Sequence, residues 1–196
     1  MDVFSTAFLP NIAYFQNLLF ASESIIDLGE HFIKQTHRNR AFILSPNGAI
    51  PIIIPIHKTD SKSVIDIEIS YVEDWQTKHL RAVRTCYKNS PYYEHYQEEF
   101  EELLMDKQKL LHLYNKNLFN WLIKELGADC KIRYTNEYVE KLIGKDFRNV
   151  DFYSTPMLLN NQEYKQVFSY KSNFTPNLST IDLLFNKGPE ALPYLK

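Results

Sequence analysis

Pro46-Asn47-Gly48, set between the apolar runs 41–44 and 49–56, determines one piece of the fold before any other. Asn and Gly both accept positive φ, and a short turn of that chemistry between two apolar stretches builds a β-hairpin. Pro51 and Pro55 trim the second run, since proline brings no N–H to a strand. Residues 52–56 carry nothing polar before His57, which predicts a central strand covered on both faces. Residues 25–28 and 131–134 read as short strands, 32–44 as an extended segment feeding the hairpin, and 64–69 as a half-exposed strand of alternating apolar and acidic residues.

Helices are expected at 12–20, at 75–87 behind an Asp74 N-cap, from Ser90-Pro91 through 104, and at 107–126 before Gly127. Ser179-Thr180-Ile181-Asp182 is like a capping box with Asp where Glu or Gln is usual, opening a short helix that ends at Gly188-Pro189. Residues 139–162 show no period that assigns them. No linker, repeat or low-complexity run divides the chain, and 196 residues suit one core. The expectation is a single α/β domain, 1–196, with a central mixed sheet that contains the hairpin and is packed by several helices.

Charge and motif content narrow the function. A net charge of −2 provides no field for nucleic acid or an anionic membrane. No apolar stretch approaches the length of a bilayer, and the first residues lack the basic start of a signal peptide. Cys86 and Cys130 are too few for a disulfide framework and are expected as free thiols. These features point to a cytoplasmic protein with no transmembrane segment and no nucleic-acid partner. There is no phosphate loop, dinucleotide fingerprint or nucleophile elbow, and no His-Glu-x-x-His among six histidines, so neither cofactor nor metal is expected. His79 and Cys86 are seven residues apart on one predicted helix, about 10.5 Å along its axis, too far for a nucleophile–base pair.

Four constellations remain. On a strand, Lys34, Thr36, Arg38 and Arg40 would share a face, either to grip an anion through the Arg fork or as a solvated edge that discourages aggregation. Trp75, His79, Ala82 and Cys86 form a helical stripe, so His79 is either an acid–base group or a core histidine with a backbone partner. Tyr87 with Pro91-Tyr92-Tyr93 is either packing or a platform for a sugar or base. In the last, Pro176-Asn177-Leu178-Ser179 with Asp182 to Asn186, capping accounts for Ser179 and Asp182 but not for the two asparagines.

Taken in order, these segments resemble the motifs of the WbqC-like family over roughly residues 6–190. Phe8-Leu9-Pro10 with Tyr14-Phe15 is similar to its opening, and Phe32-x-Lys34 followed by Asn39-Arg40 to its signature before the first hairpin. Pro55-Ile56, Trp75, Lys78-His79, Tyr87 and Pro91-Tyr92-Tyr93 follow in turn, then Gln166-x-Phe168 and the block from Pro176 to Asn186. The resemblance departs where many members carry an acidic pair before the Phe-x-Lys. Leu28-Gly29 stand there, leaving Asp27 or Glu30 to replace it. The family name comes from surface-polysaccharide, or O-antigen, gene clusters, which implies a small-molecule substrate, a nucleotide-linked or lipid-linked sugar. The implied activity is a transferase modifying a sugar, such as acyl transfer to an amino-sugar. His79 would be the base, Lys34 and Arg40 the holders of an anionic group, and Asn39 or Tyr87 the group orienting the acceptor. Trp75 and Tyr92 would help form the cleft. The alternative is a non-catalytic binding or assembly protein of the same pathway.

Overall fold

Three short strands run parallel. β2 (Ser24–Asp27) pairs with β1 (Asp2–Phe4) on one side and β5 (Ile132–Thr135) on the other. The structure is a computed structural model that describes residues 1–58, 63–153 and 162–196. Parallel neighbours need a crossover, and α1 (Ile12–Phe20) provides it between β1 and β2. Asn11 starts that helix, its side chain accepting the Tyr14 N–H. All of β2 is buried. The outer side of β1 is covered rather than open, because Val3 donates to the Lys145 carbonyl and accepts from the Phe147 N–H.

The hairpin forms as the turn chemistry requires. β3 (Arg40–Ser45) and β4 (Gly48–Ile53) pair antiparallel, with Gly48 at φ 108°. The fold is α/β with both parallel and antiparallel strands, but the two ladders are separate. β4 is not a central strand covered on both faces. Among the described residues it pairs with β3 alone, exposes Ile53 and stops before Pro55. Pro51 is tolerated because this is a two-stranded ladder with a free side. The extended segment expected at 32–44 shortens to β3. Residues 34–39 turn instead, with Gln35 at φ 63°, so the face expected to gather Lys34, Thr36, Arg38 and Arg40 does not form. Residues 64–69 make a 3-10 turn and isolated bridges instead of a strand. β1 went unread because three residues carry no period.

The helical middle matches expectation closely. α2 (Trp75–Tyr87) begins at Asp74, which accepts the Thr77 N–H, and α3 (Tyr93–Met105) follows. α4 (Leu111–Leu126) ends on Gly127 at φ 60°. Gln76 donates to the Leu104 and Asp106 carbonyls, satisfying groups at the end of α3. α5 (Thr180–Lys187) inserts Phe185 among Tyr87, Tyr93 and Phe100, each ring centroid within 5.5 Å of its own. Cys86 is buried and both cysteines are free. Of residues 139–162, those numbered 154–161 lie outside the described residues.

The chain's two ends are tied together by side chains. Ser179 does not cap α5; its hydroxyl donates to the Leu9 carbonyl, and Thr180 donates to that of Pro10. Asn177, at φ 57°, accepts the Ala13 N–H and donates to the Phe152 carbonyl. Asn186 donates back to the Asp182 carbonyl. The two asparagines that capping left unexplained therefore bind backbone.

Candidate functional site

In parallel sheets, ligands sit beyond the carboxyl ends of the strands. Here β1, β2 and β5 lead into Ser5, Leu28-Gly29-Glu30 and Asn136-Glu137-Tyr138. A cavity of about 480 Å³ opens past β2 and β5, lined by Gly29, Glu30, His31, Ile33, Tyr138, Arg148 and Asn149. Small-molecule sites typically occupy about 300–1,000 Å³.

Close approach of two loops shapes this cavity. A Cβ on Gly29 would lie 2.3 Å from the Tyr138 nitrogen, so only glycine lets residues 136–138 cross the end of β2. Asp27 fixes both loops from below. One carboxylate oxygen accepts the Gly29 N–H, and the other accepts the Val139 N–H and, at 2.7 Å, a guanidinium N–H of Arg148. Arg148 also grips Asp146 through two bonds and stacks 4.3 Å from the Tyr138 ring centroid.

Glu30 is held by Arg38 in a two-bond fork at 2.9 and 2.6 Å, with both side chains almost wholly buried. Arg38 donates further to Thr36 and to the Arg148 carbonyl, so the two guanidinium groups are parts of one network. Two influences oppose each other at Glu30. Burial disfavours its charge and dominates, while Arg38 favours it, and the carboxyl is pushed up to about 7. An ordinary glutamate is fully ionised at neutral pH, whereas this one exchanges its proton there.

Ser5 and His37 pair in the buried interior, Oγ against Nε2. Burial pushes His37 down to about 3. Neither residue lines the cavity, and both are enclosed, which suits a structural pair rather than a nucleophile and its base.

The structure brings four of the residues singled out from sequence to one place, the end of β4. Arg40 stands opposite Ile53 in the ladder, His79 accepts the Ile53 N–H at 3.1 Å, and Asn39 donates to the Ile54 carbonyl. Trp75 packs edge-on against the His79 ring. Burial lowers His79 to about 4. Tyr87 lies elsewhere, fully buried, its hydroxyl accepting the Leu44 N–H. Tyr92 packs on Gly188, where a Cβ would meet the ring at 2.4 Å. Lys34 is exposed and follows Ile33 on the cavity wall. None of the seven lines the cavity itself.

Asp27 and Glu30 stood out in the sequence only as residues that could replace the family's acidic pair; Asp27 ends β2 and Glu30 lies three residues beyond it. Arg148, Tyr138 and Asn149 did not stand out, because they lie in loops without period and meet Glu30 only through the tertiary fold.

Comparison with known families bears on this arrangement. The model of the WbqC-like protein family matches residues 6–152 and 135–194. The chain belongs to the WbqC-like protein family. Among curated proteins it is similar to the uncharacterized protein Rv1507c of Mycobacterium tuberculosis, at 24% identity over 226 aligned positions, covering 96% of this chain and 94% of that one. No solved structure matches. The WbqC-like match spans the cavity and the ties between the chain ends alike. Phe8-Leu9-Pro10 and Pro176-Asn177-Leu178-Ser179, which resemble the family's first and last motifs, hold the fold closed. No helix of the described residues is long and apolar enough to cross a membrane.

Proposed function

We propose that this WbqC-like protein is a transferase that modifies a sugar in surface-polysaccharide synthesis, with the cavity beyond β2 and β5 as its acceptor site. The observation that supports this reading is Glu30, a buried carboxyl on the cavity wall that gains and loses a proton near neutrality. Tyr138 supplies a half-exposed ring, and Asn149 an amide, for a sugar face and its hydroxyls. The finer form of the reading is acyl transfer to an amino-sugar. Glu30 takes one proton from the ammonium, and the freed amine attacks the carbonyl carbon of an activated acyl ester. A C–N bond forms, the ester bond breaks, and the leaving group departs with the second amine proton. Glu30 is better suited to this than His79, whose Nε2 lone pair is engaged by Ile53.

A non-catalytic binding protein of the same pathway is the second reading, favoured by the two-bond hold of Arg38 on Glu30, which restrains that carboxyl. Turnover separates the two. Purified protein is incubated with nucleotide-sugars and acyl thioesters and scanned by mass spectrometry. A product mass formed by the wild type and lost in Glu30→Gln supports the transferase. Retention of an unchanged sugar supports the binding protein, and no retention by either sinks the cavity as a sugar site.

A further inference from the structure

The ion-pair network behind the cavity is unequal in charge: Arg38 serves Glu30, while Asp27 and Asp146 share Arg148. Asp27, Glu30 and Asp146 contribute three carboxyl groups, against the two guanidinium groups of Arg38 and Arg148. Both cations are turned to the protein. Arg38 donates twice to Glu30, once to Thr36 and once to the Arg148 carbonyl. Arg148 donates twice to Asp146, once to Asp27 and once to the Val139 carbonyl. A guanidinium carries five N–H donors, so each has at most one more to give. An incoming phosphate would find no free fork and would meet a network with one carboxyl group in excess of its cations.

We propose that the cavity selects the protonated amine of an amino-sugar and rejects a phosphate entering in the amine's place, the ammonium bringing positive charge to Glu30, the carboxyl of this network that lines the cavity. This rests on the reading of the cavity as the sugar site. An ammonium offers three donors and needs only oxygen lone pairs. Each Glu30 oxygen retains one beyond its bond to Arg38. A metal ion fits less well, because no three His, Cys, Asp or Glu side chains among the described residues stand close enough to share one.

Binding is coupled to proton release. The charged or titratable groups acting on Glu30 are Arg38, Asp27 and Arg148, with Tyr14 beside it and His31 on the cavity wall. In the free protein Glu30 retains its proton below about pH 7. An ammonium arriving beside it favours the ionised carboxylate, and the proton leaves for solvent.

The test is titration calorimetry of the whole chain with glucosamine, N-acetylglucosamine and glucosamine 6-phosphate. It is run at about pH 6, where the coupled release is largest, in two buffers of different ionisation heat. Glucosamine should bind at least about tenfold more tightly than the N-acetyl sugar, with the phosphate weakest, and should release about one proton. Glu30→Gln should erase both the preference and the proton. Should that variant fail to fold, His31→Lys at the exposed wall position must weaken glucosamine about fivefold more than N-acetylglucosamine. Equal or tighter binding of the neutral or phosphorylated sugar overturns the inference while leaving the sugar site intact. Absence of binding by all three overturns the site and the inference together.

Discussion

His79 accepts the backbone N–H of Ile53 at 3.1 Å, an N–H that β3 does not take. The side of a strand buried under a helix needs an acceptor for each such group, and α2 provides one through this ring. Because Nε2 accepts, the ring proton sits on Nδ1 and the imidazole is neutral. Burial pushes its pKa down to about 4. The unfolded ring charges below about pH 6.5 while the folded one stays neutral, so this contribution is complete above that pH and is lost as pH falls toward 4.

His79→Gln should therefore be destabilised by about 1–2 kcal/mol at neutral pH, where the hydrogen bond and the packing against Trp75 are weakened. The gap from wild type should narrow by about 1.4 kcal/mol near pH 5.5, one pH unit below the unfolded value, because only the wild type then loses stability through this ring. Urea unfolding of both proteins across that range measures it. A gap independent of pH would mean that the folded ring titrates normally.

Arg38 neutralises a carboxyl group that has almost no contact with water. Arg38→Met should cost about 3–5 kcal/mol, the usual cost of leaving one member of a buried pair alone. Replacing both, as Glu30→Leu with Arg38→Met, should recover much of that stability because no unmatched charge is left buried. Denaturant midpoints of the single and double variants distinguish this from simple loss of side-chain volume.

Tyr138→Ala removes a half-exposed ring from the cavity wall and from its stack on Arg148. Stability should change by less than about 1 kcal/mol, since an exposed cation–π contact contributes little. Sugar binding should weaken about threefold to tenfold, on the order of the 0.5–1.5 kcal/mol of a ring contact. Equilibrium titration and thermal unfolding of the same preparation separate the two effects.

Asn177 combines a left-handed backbone with two side-chain bonds across the chain ends. Asn177→Gly keeps the backbone freedom and loses the bonds, so it should cost about 1–3 kcal/mol. Asn177→Ala loses both and should be worse by about 1 kcal/mol. Melting temperatures ordered wild type, Gly, Ala would confirm that both features act.

The parts of this fold legible in the sequence were those set by neighbours along the chain. Asn47-Gly48 specified the hairpin, Asp74 the start of α2 and Gly127 the end of α4 through backbone chemistry within a few residues. Ile52 to Ile56 misled because an apolar run cannot reveal how many neighbours a strand has. The cavity was legible only in part for a similar reason. Glu30 lies only three residues past the end of β2, but Arg148 reaches it from 118 residues away through a loop without period. The residues between 34 and 40 looked like an open cationic strand, yet Arg38 turned inward to satisfy a buried carboxyl.

Since β1 and β2 pair parallel and β5 joins them only after α4, the sheet cannot be completed early in synthesis. When residues 1–100 have been made they contain β1, α1 and the hairpin, but not β5 or the residues 177–180 that clasp Leu9, Pro10 and Ala13. Nascent chains that stop there would carry the apolar faces of Phe4, Phe8 and Phe15 uncovered, inviting chaperones or aggregation until residues 177–180 follow. Protein yield in a cell would then respond to late-chain truncations as sharply as to changes at the cavity, with α1 left without its clasp in every shortened product.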